Sequence, residues 1–318
     1  MNSHFFERYC GRRVALQTQH GKEVLLGPIL SQALGCKVER VAGCDTDALG
    51  TFTRDIPRDG SQLDAARRKA RIATQLGQCR IGLASEGAFG PDPLTGLFPW
   101  NTEMVVWLDD DSGLELVGFA EGPARSAQHK VKDWAAMCDV AARAGLPEHH
   151  LVVRPNHEND PRMHKGIADW PALQKAFATA VACSNQGIVF VENDLRAHCN
   201  PTRQVLIRKA GENLVDKMRS ACPRCRLPGF WVKGHVRGLP CQWCLQPTRE
   251  VVAEVWSCTH CEYREERTRI LKMMRTVADN RYVSPATHAK LRSRLPGRLD
   301  RRTDPLGRRR RGRRAHLT

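Results

Sequence analysis

The stretch RRVALQTQHGKEVLLGPILSQALGCKVERVAG, residues 12–43, decides the fold class of this chain. Residues 12–18 form a short apolar run, which predicts a strand that ends in the polar turn QHGK. Residues 22–35 place apolar side chains at helical spacing and end on Gly35, which suits a helix C-cap. Residues 37–43 predict a second strand. A strand, a helix and a strand in succession indicate an α/β domain.

The same alternation continues to residue 220. Ser61 is followed three residues later by Asp64, which predicts the start of a helix that runs to Gly77. Further strands are predicted at residues 79–85, 151–155 and 187–194 and as a pair within 103–122, and further helices at 132–145, 171–182 and 201–220. The sequence therefore predicts an α/β domain over residues 1–219, with a mixed sheet and flanking helices.

Two segments of different composition follow this domain. Residues 220–267 contain three CxxC pairs, which predict a small zinc-ribbon module. Residues 268–318 form a basic tail whose low-complexity end, rich in Arg, Pro, Gly and Leu, is typical of disorder.

Composition argues against a membrane or secreted protein. The hydrophobic fraction is 41%, but no apolar run reaches the roughly 20 residues that span a bilayer. The first residues, MNSHFFERYCGRR, show no apolar signal sequence. The 13 cysteines are odd in number and six lie in CxxC pairs, which favours a reducing compartment. We therefore expect a cytoplasmic protein without a membrane partner.

The net charge of +16 is concentrated at one end of the chain. From Arg267 onward there are 17 Lys and Arg against three Asp and Glu, a net of +14. The preceding 266 residues carry 33 basic and 31 acidic side chains, a net of +2. The nearly neutral body weakens the hypothesis that the folded part binds a nucleic-acid backbone.

The CxxC pairs are the strongest motif in the sequence. Each pair can present two thiolates to one ion, and a closed zinc site takes four ligands. Six thiolates therefore fill one site and half of another, while His235 and His260 could substitute as ligands. A module of this size cannot bury enough apolar area, so we expect structural zinc. The six cysteines are Cys222, Cys225, Cys241, Cys244, Cys258 and Cys261.

Polar clusters follow the predicted strands, and ligands of α/β sheets collect at the carboxyl ends of strands. In the first cluster, Thr18, His20 and Lys22 lie at a strand-to-helix turn, where a lysine and a helix N-terminus could bind an anion. Each cluster alone is also compatible with ordinary turn chemistry. Taken together, the clusters carry complementary charges, and a binding site that they share is then about as plausible as ordinary turns.

The next two clusters supply carboxylates and cations. Asp45 and Asp47 precede a helix that carries Arg67 and Lys69, and Glu86 follows the predicted strand 79–85. These carboxylates suit Mg²⁺, which prefers oxygen ligands and often also contacts substrate phosphates.

A fourth cluster lies between a strand and a helix. Asn200 followed by proline predicts an N-cap. Asp194, Arg196 and His198 alternate, so an extended segment would present all three on one face, with Arg203 shortly after. We expect these residues to contribute to a site.

Residues 11–266 resemble a bacterial family described only as domain of unknown function 6671. The stretches that carry the resemblance include GRRVALQTQHGKE, GCDTDALGTFT, GSQLDAARRKAR, GLASEGAFGPDP, ENDLRAHCNPTR, GLPCQWC and CTHCEYREER. The family implies an α/β domain with a cysteine-rich ribbon but no activity.

A looser similarity links the first domain to inosine-triphosphate-type pyrophosphatases. This similarity implies that Lys22 and Lys69 hold phosphate, while Glu86 and either Asp45 or Asp47 hold Mg²⁺ and orient a water. Here TQHGK replaces the usual Thr-Asn-x-x-Lys, and a lone Glu86 replaces an acidic pair.

The family resemblance also bears on the tail. Relatives end with a fourth CxxC, whereas this chain continues into YVSPATHAK, residues 282–290, and an Arg-rich end. Codons for that peptide can encode a CxxC in a neighbouring frame. We therefore hypothesise that residues 268–318 are a frameshift product, which the coding DNA would test.

Three functions are compatible with these residues. The first is a Mg²⁺-dependent phosphohydrolase acting on a nucleotide or another phosphoanhydride, with Thr18, His20, Arg67 and Arg203 helping to bind it. The second is a non-enzymatic zinc-ribbon protein that binds nucleic acid or a protein partner. A thiol-redox function is disfavoured because the CxxC spacing predicts metal ligands. The sequence favours the first.

Overall fold

The computed structural model describes residues 7–43, 60–241 and 244–268. Asp45 and Asp47 lie outside the described residues. The described chain divides into two compact units, which we treat separately. The first contains the residues up to Trp231 together with Cys258–Tyr263, and the second contains Val232–Ser257 and the strand that begins at Arg264.

A five-stranded mixed sheet forms the centre of the first unit. Its order is β2-β1-β3-β4-β5, in which β1 runs parallel to β2 and β3 while β3, β4 and β5 are antiparallel. The predicted mixed sheet is thus confirmed. The strands are β1 (Arg13–Gln17), β2 (Lys37–Val41), β3 (Ile81–Pro91), β4 (Pro99–Asp109) and β5 (Leu114–Pro123).

Helices cover both faces of this sheet. Helices α1 (Glu23–Leu34) and α5 (Pro201–Arg219) pack on one face through a core that includes Leu83 and Trp107. Helix α2 (Gln62–Gly77) packs on the opposite face. The predicted helix ends are confirmed, because Gly35 caps α1 in the left-handed region and Ser61 with Asp64 forms a capping box.

A second, entirely antiparallel sheet was not predicted. Its order is β6-β9-β7-β8, and helices α3 (Trp134–Ala144) and α4 (Trp170–Cys183) share its core. Its outer strands β6 and β8 have four residues each and bury only the last one, so they carry no apolar alternation. The strands are β6 (Gln128–Val131), β7 (Leu151–Pro155), β8 (His164–Ile167) and β9 (Val189–Asn193).

The prediction that the strand ends at residue 85, with Glu86 after it, is wrong. Residues 86–91 are the second half of β3, which pairs with β4 along its whole length from Ile81 to Pro91. The parallel pairing of β3 with β1 is much shorter than its pairing with β4. It includes only Ala15 with Gly82 and Leu16 with Leu83. Glu86 therefore lies just beyond the carboxyl end of the parallel pair, in the middle of a longer antiparallel hairpin.

The second unit is built on a three-stranded sheet of order β10-β11-β12, with β11 and β12 antiparallel. Its strands are β10 (Trp231–Arg237), β11 (Val251–Ser257) and β12 (Arg264–Thr268). Across the described ranges, no helix has both the length and the apolar character needed to cross a membrane.

Candidate functional site

Charged side chains are buried together beside β3. Lys69 Nζ lies 2.8 Å from Glu86 Oε2, and Arg203 Nε lies 2.6 Å from Glu103 Oε1. Lys22 Nζ donates a 2.6 Å hydrogen bond to the carbonyl oxygen of Ser85. All five charged residues are buried. Buried charge is costly unless it is paired, so a concentration of this kind marks a candidate site.

Five different segments position these side chains, including β4, which carries Glu103. Lys22 lies in the turn between β1 and α1, Lys69 in α2, and Glu86 in β3. Arg203 lies in the first turn of α5, where its backbone N–H donates to the side chain of the N-cap Asn200 at 3.0 Å. The predicted N-cap is thereby confirmed. The cap fixes the start of the helix that brings Arg203 to the sheet.

The two ion pairs lie on opposite faces of the hairpin. Successive residues of a strand point to opposite faces, and Glu103 is paired in register with Gly87, the neighbour of Glu86. Glu86 therefore faces α2, and Glu103 faces α5. A Cβ atom at position 87 would lie 2.4 Å from Glu103 Oε1, so only glycine leaves room for the Glu103–Arg203 pair.

Lys22 is electrostatically coupled to both pairs. Burial lowers its pKa to about 7, and the nearby Arg203 and Lys69 add to this effect, while Glu86 and Glu103 oppose it. The amine is therefore close to half protonated at neutral pH. An anion bound beside it would favour the ammonium form.

Two histidines from separate segments of the chain contact each other. The rings of His20 and His198 have centroids 5.2 Å apart, which brings the first and fourth sequence clusters together. His198 is exposed, and its pKa is lowered by partial burial and by Arg196. His20 lies two residues before Lys22, so this ring pair adjoins the turn that carries Lys22.

Asp194 and Arg196 are bound to each other. Arg196 Nη2 lies 2.5 Å from Asp194 Oδ2, which also accepts the backbone N–H of Gly166 at 3.0 Å. Asp194 is fully buried, and its pKa is lowered by Arg196 despite the opposing effect of burial. The segment is not extended throughout, because Ala197–Cys199 forms a 3-10 turn. The expected row of three side chains on one face is thus replaced by an ion pair followed by a turn.

The remaining predicted residues fall in different places. Thr18 is buried at the end of β1, and its Oγ1 accepts the backbone N–H of His20 at 3.3 Å. Arg67 instead makes a bidentate pair with Glu115 at 2.7–3.1 Å. The structure thus brings together Lys22, Lys69, Glu86 and Arg203, with His20 and His198 adjoining them.

Sequence reasoning missed Glu103. It lies in the strand segment NTEMVVWL, where a carboxylate among apolar residues could have signalled a buried role. Its partner Arg203 is 100 residues away in sequence, so the pairing has no local signature.

Four cysteines of the first unit form a candidate metal centre. The Sγ atoms of Cys222, Cys225, Cys258 and Cys261 all lie within 4.8 Å of one another. The closest distances are 3.6 Å, for Cys222–Cys261 and for Cys225–Cys258. Four thiolates about 2.3 Å from a tetrahedral zinc ion would have similar sulfur–sulfur spacings, so the donor set fits structural Zn²⁺.

The three CxxC segments share two backbone features among their described residues. The residue after each second cysteine is left-handed, with φ of 64° at Arg226, 61° at Leu245 and 57° at Glu262. The first cysteine of each segment donates its N–H to the carbonyl five residues later, at 2.8–2.9 Å. Cys241 and Cys244 therefore resemble the other two pairs in both features, although the four-cysteine cluster of the described residues does not include them.

The fold and these sites define an α/β protein with a buried charge cluster and a four-cysteine centre. The chain belongs to the family described as Domain of unknown function (DUF6671), whose model matches residues 69–280, more than half of the chain. The resemblance to that family is thus confirmed. A search of curated proteins gives no match.

Proposed function

We propose that this protein is a Mg²⁺-dependent phosphohydrolase that acts on a phosphoanhydride, such as that of a nucleotide. The observation that supports this function is the convergence of Lys22, Lys69 and Arg203 with Glu86 and Glu103 near the carboxyl end of β1. Ligands of open α/β sheets bind at this end of the strands. Three cationic groups beside two carboxylates match the needs of phosphoryl transfer.

The residues divide naturally into two roles. Lys22, Lys69 and Arg203 would bind phosphate oxygens, because ammonium and guanidinium groups donate charge-assisted hydrogen bonds. Glu86 and Glu103 would hold the metal or orient a water. Glu103 fits a metal because its Oε2 atom is buried and has no hydrogen-bond partner among the described residues. When bound, Mg²⁺ would neutralise charge on the phosphates.

The two histidines suit a further role in proton transfer. Partial burial and Arg196 lower the pKa of His198, and its ring lies 5.2 Å from that of His20, two residues before Lys22. We infer that His198 accepts or delivers a proton during turnover. Asp194 and Arg196 would hold the segment that carries it.

Two variants on α2, Lys69→Gln and Arg67→Gln, test this function together with Glu86→Gln on β3. Purified protein is assayed for phosphate or pyrophosphate release from nucleoside triphosphates with Mg²⁺. We expect Lys69→Gln and Glu86→Gln to lower kcat/KM at least 100-fold, because each removes one partner of the buried pair. Arg67→Gln is the control, since Arg67 lies on the same helix as Lys69 but pairs with Glu115 of β5.

The results of these assays distinguish a catalytic role of the buried pair from a purely structural one. Absence of turnover on every phosphoanhydride tried would refute the proposed function. Equal losses in the Arg67 and Lys69 variants would show that the effect is structural. A full loss confined to Lys69→Gln and Glu86→Gln would support the site.

One observation favours a second candidate, a non-enzymatic binding protein. The net charge of +14 from Arg267 onward could bind a polyanion without any catalytic site. This candidate assigns no role to the buried cluster, so the phosphohydrolase accounts for more of the structure.

A further inference from the structure

We propose that Mg²⁺ binds on the α5 face of the β3–β4 hairpin, with Glu103 as its main ligand and Asn101 as a further oxygen ligand, and that Glu86 is not a ligand. This inference deepens the proposed function and rests on it for the identity of the metal. The sequence alone had pointed to Glu86 and to the Asp45–Asp47 pair.

Two buried oxygen atoms carry the inference. Glu103 Oε2 and Asn101 Oδ1 have no hydrogen-bond partner within the described part of the chain. Their residues are 0% and 1% exposed. Buried polar atoms are almost always hydrogen-bonded, and an unpaired buried carboxylate oxygen is especially costly. Two such atoms at neighbouring positions on one face of β4 indicate a ligand that they share.

The strand register places both side chains on one face. Glu103 pairs with Gly87, and Asn101, two residues earlier in β4, pairs with Phe89. Residues two apart in a strand share a face, so both side chains point toward α5. Asn101 Nδ2 donates to Glu103 Oε1 at 3.2 Å, which leaves the amide oxygen available beside the carboxylate.

The donor types match a hard cation. A carboxylate and an amide carbonyl are oxygen ligands, which Mg²⁺ prefers over nitrogen or sulfur. Mg²⁺ is bound by one or two carboxylates and completes its shell with water and substrate phosphate. One buried carboxylate with one neutral oxygen is therefore a sufficient protein contribution.

The ion pairs distinguish the two glutamates. Glu86 Oε2 accepts from Lys69 at 2.8 Å, on the α2 face. Arg203 occupies only Oε1 of Glu103, so Oε2 remains available on the α5 face. The two carboxylates are balanced by Lys69 and Arg203, so a divalent cation adds net positive charge to the cluster. We therefore expect metal and phosphate to bind cooperatively, each offsetting the charge of the other.

Metal binding can be measured without turnover. The zinc-loaded full-length protein is titrated with Mn²⁺, a paramagnetic substitute for Mg²⁺, and free Mn²⁺ is followed by electron paramagnetic resonance. The titration is repeated with inorganic phosphate. We expect Glu103→Gln to weaken Mn²⁺ binding at least tenfold, with a smaller loss in Asn101→Ala. Glu86→Gln should bind Mn²⁺ within about twofold of the unaltered protein, and phosphate should tighten binding.

The alternatives give different results. No Mn²⁺ binding by the unaltered protein, equal binding by Glu103→Gln, or a loss in Glu86→Gln as large as in Glu103→Gln would each overturn the inference. If Glu103→Gln fails to fold, Asn101→Ala decides: a loss of Mn²⁺ affinity supports the site, and unchanged affinity refutes it.

The same data separate the inference from the proposed function. Mn²⁺ binding that depends on Glu103, without hydrolysis of any phosphoanhydride, would refute the function and leave the metal site intact. Hydrolysis with Mn²⁺ affinity that is unchanged in Glu103→Gln would refute the metal site alone.

Discussion

The pKa of Lys22 gives the cluster a built-in pH dependence. Burial and Arg203 lower this pKa to about 7, so the side chain is an ammonium below neutral pH and an amine above it. An anion binds best to the ammonium form. Above pH 7 the protein must therefore take up a proton when the anion binds, and the affinity should fall by up to about tenfold per pH unit.

Sulfate is a suitable probe because its charge is constant over this range. We predict that its Kd, measured by calorimetry, rises from pH 7 to pH 9 in the unaltered protein. In Lys22→Met this rise should disappear, which separates Lys22 from His198. An identical pH profile in both proteins would show that Lys22 does not contact the anion.

Single residues also show what sequence reasoning can find. Lys22, Lys69 and Glu86 were identifiable because each belongs to a local polar cluster in a strand–helix pattern. Glu103 was not, because its role depends on register with Gly87 and on a partner 100 residues away. Arg67 looked equivalent to Lys69, but two positions along a helix point in different directions, and it pairs with Glu115.

At the level of elements, the cysteine turns make a sharp prediction about metal content. Four thiolates form one cluster among the described residues, and Cys241 and Cys244 lie outside it. We predict about one zinc ion per chain. Cys258→Ser should lose it and lower the melting temperature, because zinc binding contributes folding energy in small modules.

Cys241→Ser is the matched control, since it alters the same type of turn outside the cluster. Zinc is quantified by mass spectrometry of the intact protein and by a chromogenic chelator. Two zinc ions per chain, or a loss in Cys241→Ser equal to that in Cys258→Ser, would contradict the assignment.

Among the elements, the long amphipathic helices and the buried strands could be predicted from the sequence. The short, polar strands at the edges of the second sheet, β6 and β8, could not. Helix α5 matches its predicted range closely, because proline marks its start and apolar residues recur along it. Strands β6 and β8 carry residues such as His129, Lys130 and Lys165 that give no strand signal. They form because β9 and β7 offer them a paired edge, which is information from distant sequence.

For the whole molecule, the charge distribution predicts which part would bind a polyanion. Truncation after Thr268 removes 16 of the 50 Lys and Arg residues, and the hydrophobic cores of the described residues all lie before that point. We predict that the truncated protein keeps its melting temperature within a few degrees. If the full chain binds duplex DNA in a salt-dependent manner, as its basic tail predicts, the truncated protein should lose this binding.

Binding is measured by fluorescence anisotropy at several salt concentrations. If the truncated protein retains the affinity and the salt slope of the full chain, the folded part contacts the phosphates and the charge argument fails. The same truncation should leave phosphohydrolase activity unchanged, so the two candidate functions respond oppositely to it.

Helix α5 joins the two sites of the first unit. Arg203 lies in its first turn, and its nineteen residues span about 28 Å before Ser220 and the first cysteine knuckle. The backbone N–H of Gly229 donates to Lys217 and that of Phe230 to Ser220, so the knuckle holds the end of the helix. An oxidant that attacks only the thiolates would thus loosen the far end of the helix that positions Arg203. A protein with this arrangement would lose activity under oxidative stress and regain it on reduction and metal reloading.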